Sequence, residues 1–301
     1  MKGNRALEGD SLFEPRHTMR LARTLLILHL GALVLSLAGL LIALPNPQLW
    51  AGDRTASQVF DFGMRYAGSL HVVLGAAAML AFGVATVGRQ RTGLFFMLSV
   101  GVSLTFELIG TGTGWPFGEY AYTDFLGYKI LDRVPFGIPL SWFYLGFAAY
   151  LLGCTAASEF GVWPGALLTV GTGVWLLTVW DLVLDPAMAH EVMRARFWEW
   201  REAGAYHGAP LKNVLGWAIT GLAFMVPSRV WWRSSVSLPP DQVWFPFVVY
   251  AANVGFGMVL AASVGLTEPI LLATLLGLVP AAAILASWAQ ERGVDREGMA
   301  G

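Results

Sequence analysis

Charge is scarce in this chain: charged residues fill 13% of the 301 positions, where a soluble domain carries about 25%. The deficit is concentrated in long apolar runs, and apolar residues reach 56% of the total. A soluble fold would have to bury every one of those runs within a chain of this size, which excludes an ordinary globular class. Net charge is −1, so no bulk field would draw nucleic acid. Cysteine is nearly absent. Cys154 stands alone inside an apolar run, which rules out an intramolecular disulfide and suits a small core residue. Internal repeats and low-complexity tracts are missing too. The N-terminus lacks the short apolar region and small-residue cleavage site of a signal peptide. It has polar and basic residues ahead of a full-length span, so the first span is expected to be retained.

What is present is a series of membrane-length segments. A helix needs about 20 apolar residues to cross the hydrocarbon core. Eight runs qualify: Leu25–Leu44, Tyr66–Val87, Gly93–Ile109, Ile138–Ala157, Pro164–Leu184, Val214–Trp232, Trp244–Leu266 and Pro269–Trp288. The expectation is an all-α, polytopic transmembrane helical bundle of about eight spans, one integral membrane domain over residues 1–301 with a polar tail at 1–22. An even number of spans puts both termini on one side. Taking that side as cytoplasmic places Lys2, Arg5, Arg16, Arg20, Arg23, Arg89, Arg91, Arg229, Arg233, Arg292 and Arg296 inside. Arg54, Arg65, Lys129, Arg133, Arg194, Arg196, Arg201 and Lys212 fall outside, most of them in longer loops where the positive-inside rule weighs less. The two long outer-face loops are 110–137 and 185–213, and long ordered connections tend to be functional. In the second, Val192, Phe197, Trp198 and Trp200 are mixed with Arg194, Arg196, Glu199 and Arg201, which suits an amphipathic interfacial helix.

Ionisable residues inside spans are rare because hydrocarbon solvates charge badly, so each is a functional candidate. Glu107 closes the third run; Asp181 and Asp185 close the fifth, four apart and therefore on one helical face. Asn213 opens the sixth run and His71 lies near the start of the second. All five gather toward the outer face, whereas His29 sits near the cytoplasmic end of the first run. The stripes Ser99–Ser103–Glu107, Thr178–Asp181–Asp185 and Asn213–Trp217–Thr220 follow helical spacing. Interhelical hydrogen bonding accounts for such stripes at about 1 kcal/mol or less per contact, but packing alone does not call for three carboxyls at one depth. Aromatics crowd the same face: Trp115, Phe117, Tyr120, Tyr122 and Phe125, then Trp142, Phe143 and Tyr144, then Trp198, Trp200, Tyr206 and Trp217. An interfacial belt explains about half of these.

Carboxyls and aromatics in a dry pocket can perform a defined chemistry. Burial favours the neutral carboxylic acid, which can donate its proton. An alkene accepts that proton to give a tertiary carbocation, which aromatic faces stabilise. Water then captures the cation, with a second carboxylate as base. This scheme needs neither metal nor cofactor.

Two segments carry a resemblance. The first is Phe106-Glu-Leu-Ile-Gly-Thr-Gly-Thr-Gly-Trp-Pro-Phe-Gly-Glu-Tyr-Ala-Tyr-Thr123, continuing to Val134-Pro-Phe-Gly-Ile-Pro-Leu-Ser-Trp142. The second is Trp180-Asp-Leu-Val-Leu-Asp-Pro-Ala-Met188, then Trp198-Glu-Trp200 and Gly204-Ala-Tyr-His-Gly-Ala-Pro-Leu-Lys-Asn-Val-Leu-Gly-Trp217. From Phe106 to Trp217 the chain resembles the membrane-bound carotenoid hydratase family. The resemblance implies hydration of the terminal double bond at an acyclic carotenoid end, giving a tertiary alcohol. It also implies a prokaryotic cytoplasmic membrane and partners among other carotenoid biosynthesis enzymes. Glu107, Asp181 and Asp185 fall in its motifs as catalytic candidates, with Asp181 favoured as donor and Asp185 or Glu107 holding the water. His71, Trp115, Tyr120, Tyr122, Trp142, Trp198, Trp200, Tyr206, Asn213 and Trp217 are expected to bind substrate. At His207 and Lys212 the chain departs from the aromatic and small polar residues of the family pattern, which bears on substrate fit.

Two rivals use the same residues. Asp181 and Asp185 have the DxxxD spacing with which membrane prenyltransferases hold magnesium and a diphosphate. That reading needs a second aspartate cluster, which Asp53, Asp61, Asp124 and Asp132 do not form. A proton-coupled transporter would use the carboxyls as a relay, but it calls for inverted repeats and broken helices that the sequence does not display.

Overall fold

The computed structural model describes residues 15–232 and 236–287. The positive-inside assignments of Lys2, Arg5, Arg233, Arg292 and Arg296 lie outside these residues, as does most of the expected tail. Among the described residues, eight helices are long and apolar enough to cross a membrane, and the protein is an all-α polytopic bundle. In chain order they are α1 (Pro15–Ala38), α2 (Arg54–Thr86), α3 (Arg89–Thr113), α4 (Gly137–Ala156), α5 (Val162–Met188), α6 (Leu211–Trp232), α7 (Trp244–Ser263) and α8 (Thr267–Ala273). Two of them continue through π-helical turns, Gly39–Ala43 after α1 and Thr274–Leu278 after α8.

All eight expected spans are present, with shifted ends. The tail expectation is corrected from Pro15 onward, because α1 begins there and buries Thr18 and Ala22 against the bundle. His29 therefore lies near the middle of the membrane-length helix 15–43 rather than near its end. Helix α2 starts at Arg54, where Asp53 caps it by accepting a hydrogen bond from the Ala56 amide at 2.7 Å. Helix α3 runs past the apolar run to Thr113 and stops at Gly114, whose φ of 76° is a left-handed cap that glycine adopts without strain. Glu107 thus sits inside a helix rather than at its end. Helix α5 continues through Pro186 to Met188, so Asp185 is a buried helical residue and not a solvated terminus.

Helix α4 is the centre of the bundle, with 78% of its membrane-length window buried. It packs against α2, α3, α5 and α7. Its close approach to α5 depends on Gly153, where a Cβ would stand 2.3 Å from the carbonyl oxygen of Thr169. Around it, Phe95, Phe143, Phe147, Tyr150 and Trp232 interlock through ring contacts with centroids 4.8–6.5 Å apart.

Between α3 and α4, and again between α5 and α6, the connections form strands. Strand β1 (Tyr120–Tyr122) pairs antiparallel with β4 (Trp198–Trp200), in the register Tyr120↔Trp200, Ala121↔Glu199 and Tyr122↔Trp198. A smaller ladder joins β2 (Lys129–Ile130) to β3 (Val134–Pro135). The expected amphipathic helix over Val192–Arg201 is therefore corrected: Trp198-Glu-Trp200 alternates apolar and polar with period two, and that pattern suits a strand. Lys129 secures the ribbon by donating from Nζ to the Tyr122 carbonyl at 2.9 Å and to Asp124 at 2.7 Å.

Gly153→Ala is expected to push α4 from α5, because the obstructing atom is backbone and cannot rotate away. Overpacking of this kind costs about 1–3 kcal/mol and should appear as a lowered melting temperature in detergent. An unchanged melting temperature would show that the two helices separate freely at this point.

Candidate active site

The ribbon closes one end of a cavity framed by α2 to α7. Period-two alternation places Tyr120, Tyr122, Trp198 and Trp200 on the ribbon face that lines it, while Glu199 turns outward to an ion pair with Arg196 at 3.0 Å. Empty space in the cavity and its mouth amounts to about 960 Å³. Glu107, Asp181, Asp185 and Asn213 contribute polar atoms to its lining; Trp142, Trp180 and Trp217 supply aromatic surface.

Each carboxyl meets donors supplied by the protein. Glu107 accepts from three: Trp142 Nε1 reaches Oε1 at 3.0 Å, Tyr122 reaches Oε2 at 2.9 Å, and the Tyr120 hydroxyl also bonds Oε2. Asp185 accepts from two, Trp198 Nε1 at 2.5 Å on Oδ1 and Asn213 Nδ2 at 3.2 Å on Oδ2. Asp181 accepts from one, the same Asn213 nitrogen at 2.8 Å. The i,i+4 spacing thus places both aspartates around a single amide, which has one hydrogen for each. Burial, followed by the charge of Glu107, raises both tyrosine hydroxyls well above the ordinary phenol range, so they remain neutral donors. Nε1 of Trp180 and Nε1 of Trp200 are buried without a partner. These are donors at the cavity's edge that an oxygen atom from outside the protein could satisfy.

The opposite wall holds a second polar chain. His29 Nδ1 lies 2.7 Å from the His71 carbonyl, and because a carbonyl only accepts, Nδ1 carries the proton. Nε2 of His29 therefore accepts from Asn253 Nδ2 at 3.1 Å, and Asn253 Oδ1 accepts from Tyr144 at 2.8 Å. This chain fastens α1 and α2 to α4 and α7.

Eight of the ten expected substrate-binding residues line the cavity: His71, Tyr120, Tyr122, Trp142, Trp198, Trp200, Asn213 and Trp217. Trp115 does not. It is 53% exposed and packs edge-on against Phe106. Tyr206 lies outside as well, for a specific reason. Pro186 has no amide hydrogen, so the Leu182 carbonyl one turn earlier lacks its helical donor. The Tyr206 hydroxyl takes that place at 2.9 Å, so the residue supports α5 within the segment that carries both aspartates. His207 and Lys212 are also absent from the lining; they pair with Glu268 at 3.2 Å and Glu202 at 2.8 Å. Their departure from the family pattern therefore falls outside the cavity. Among the described lining residues there is no lysine or arginine to hold a diphosphate.

Asn253, Phe256 and Ser69 also line the cavity and are not among the residues expected from the sequence. Asn253 carries a sequence signal, a lone amide in an apolar run, but an uncharged amide is less anomalous there than a carboxyl.

Two outcomes follow. Tyr206→Phe should lower stability by about 1 kcal/mol, the effect of leaving a partly buried carbonyl without its donor, as read by thermal unfolding in detergent. The raised phenols contribute stability that is complete below the ordinary tyrosine range and declines as pH rises through it. The melting temperature should therefore fall above about pH 10, and fall less steeply in a Tyr120→Phe/Tyr122→Phe double variant.

The profile of a family described as carotenoid biosynthesis protein matches residues 67–280, which include every cavity-lining residue. The chain is also 36% identical over 147 residues to the bisanhydrobacterioruberin hydratase of Haloarcula japonica. That alignment takes in 47% of this chain and 46% of the relative, so it spans about half the length of each. No solved structure matches. The resemblance first seen over Phe106–Trp217 thus extends across most of the bundle, and the chain belongs to the carotenoid biosynthesis protein family.

Proposed function

We propose that this protein hydrates the terminal double bond at an acyclic end of a carotenoid, forming a tertiary alcohol. The observation that carries the reading is the graded anchoring of three carboxyls around one aromatic cavity, with a single amide joining two of them. Family membership and the activity in the relative's name support it.

Asp181, the carboxyl with the fewest donors, carries the proton. It transfers that proton to the less substituted alkene carbon; the π pair forms the new C–H bond and leaves a cation on the carbon bearing two methyl groups. Trp217 and its neighbours stabilise the cation through their ring faces. Water bonds to the cation through oxygen, and Asp185 removes the extra proton. One water is added in total, and Asp181 and Asp185 end with exchanged protonation. Because both contact the Asn213 amide, the proton has only a short gap to cross on its return. The remaining polyene extends out of the cavity mouth into the bilayer. The cytoplasmic-membrane location and cytoplasmic termini implied by the positive-inside bias belong to the same proposal.

Expression in a bacterial host that accumulates lycopene or γ-carotene is the direct test. Pigment heavier by one water should appear, be absent from the empty vector, and drop by at least about 100-fold in Asp181→Asn, as expected for loss of a general acid. A well-inserted protein that leaves these and longer acyclic carotenoids unchanged would overturn the reading.

A further inference from the structure

Hydration needs one acid and one base, and the Asn213-linked aspartates supply both, so Glu107 is a third carboxyl without a task. Its surroundings suggest one. Trp142 donates Nε1–H to Glu107 at 3.0 Å. On its face Trp142 stacks against Trp217, with ring centroids 3.8 Å apart and planes 19° from parallel. Trp180 meets Trp217 edge to face at 5.5 Å. Trp142 and Trp217 both line the cavity, but Trp142 is fully buried, whereas Trp217 keeps partial exposure.

We infer that Glu107 is a positioning residue, a fixed negative charge that acts through Trp142 to make the Trp217 face a better cation site. The inference rests on the hydratase reading for its place in the reaction, but its physical content is independent of turnover. An N–H bonded to an anion forms a charge-assisted hydrogen bond. Such bonds polarise their donors within low-dielectric surroundings, here moving electron density from the N–H into the indole ring. Tryptophan is already the best aromatic partner for a cation, and a stacked, electron-enriched neighbour strengthens the field of the part of Trp217 that lines the cavity. The other two partners of Glu107 fit this role. Tyr120 and Tyr122 are neutral donors, so all three partners donate and the Glu107 carboxyl only accepts, the hydrogen-bonding role of a carboxylate. With both lone pairs of Oε2 occupied by phenols, that oxygen is poorly placed to take a proton from water.

Two readouts test the inference. The first is binding by the protein in nanodiscs of hexadecyltrimethylammonium against its uncharged isostere with carbon in place of nitrogen, followed by tryptophan fluorescence. Wild type should prefer the ammonium, and Trp142→Phe should reduce that preference about tenfold although every carboxyl remains. Glu107→Gln keeps an oxygen for Trp142 but removes the charge. It should reduce the preference similarly, and it covers the case in which Trp142→Phe fails to fold. The second readout is the pH profile of kcat on an acyclic carotenoid. Both variants should lower the plateau while keeping both limbs, and the double variant should be no slower than the worse single one.

Retention of the ammonium preference in folded Trp142→Phe, or loss of a pH limb in Glu107→Gln, would overturn the inference. An ammonium preference sensitive to both variants, in a protein that hydrates no carotenoid, would uphold the aromatic wall while removing the hydratase reading.

Discussion

A carboxyl buried in an apolar bundle lacks the shell of water that would bond it at a surface, so the protein has to provide donors at the same depth, and the carboxyl-bearing end of this molecule is organised around that requirement. Glu107, Asp181 and Asp185 are each at most 4% exposed. Their donors come from four separate elements: the β1 tyrosines, Trp198 of β4, Trp142 of α4 and Asn213 of α6. This explains why the long connections are ordered as a ribbon. A strand pair delivers side chains to one face at period two, and three of the four that it delivers here bind carboxyl oxygens.

Support for the aspartates extends along α5. Pro186 weakens the helix one residue beyond Asp185, and Tyr206 restores the missing bond from a connection outside the helix. The Leu182 carbonyl that it serves lies between the two aspartates in sequence, so the segment that carries them is supported by a side chain that does not line the cavity. On the far wall, His29, Asn253 and Tyr144 form a saturated chain across α1, α7 and α4. A buried imidazole with both nitrogens engaged stays in one tautomer and fixes the wall that faces the acids.

The sites legible in the sequence were those marked by an energetic anomaly. Carboxyls in apolar runs stand out because hydrocarbon does not tolerate them without cause, and their helical spacing already placed Asp181 and Asp185 on one face. Aromatic residues were less legible. Trp115 and Tyr206 have the same type and neighbourhood as Trp142 and Tyr120, yet one faces outward and the other serves a carbonyl freed by proline. Asn253 escaped because an amide in a membrane segment is less anomalous than a charge.

Hydrophobic length alone determined the bundle: runs of sufficient length must be helical where backbone groups cannot bond to water, and no distant contact alters that. Family kinship was similarly local, carried by contiguous motifs from Phe106 to Trp217. Tertiary structure decided which carboxyl receives three donors, which two and which one. Those donors come from residues as far apart as Trp142 and Asn213, brought together only when α4 and α6 pack beside α3 and α5. Tertiary structure also turned Val192–Arg201 from an expected amphipathic helix into turns and a strand. Its partner, β1, lies about eighty residues earlier in the chain, and pairing over that distance depends on the packed bundle.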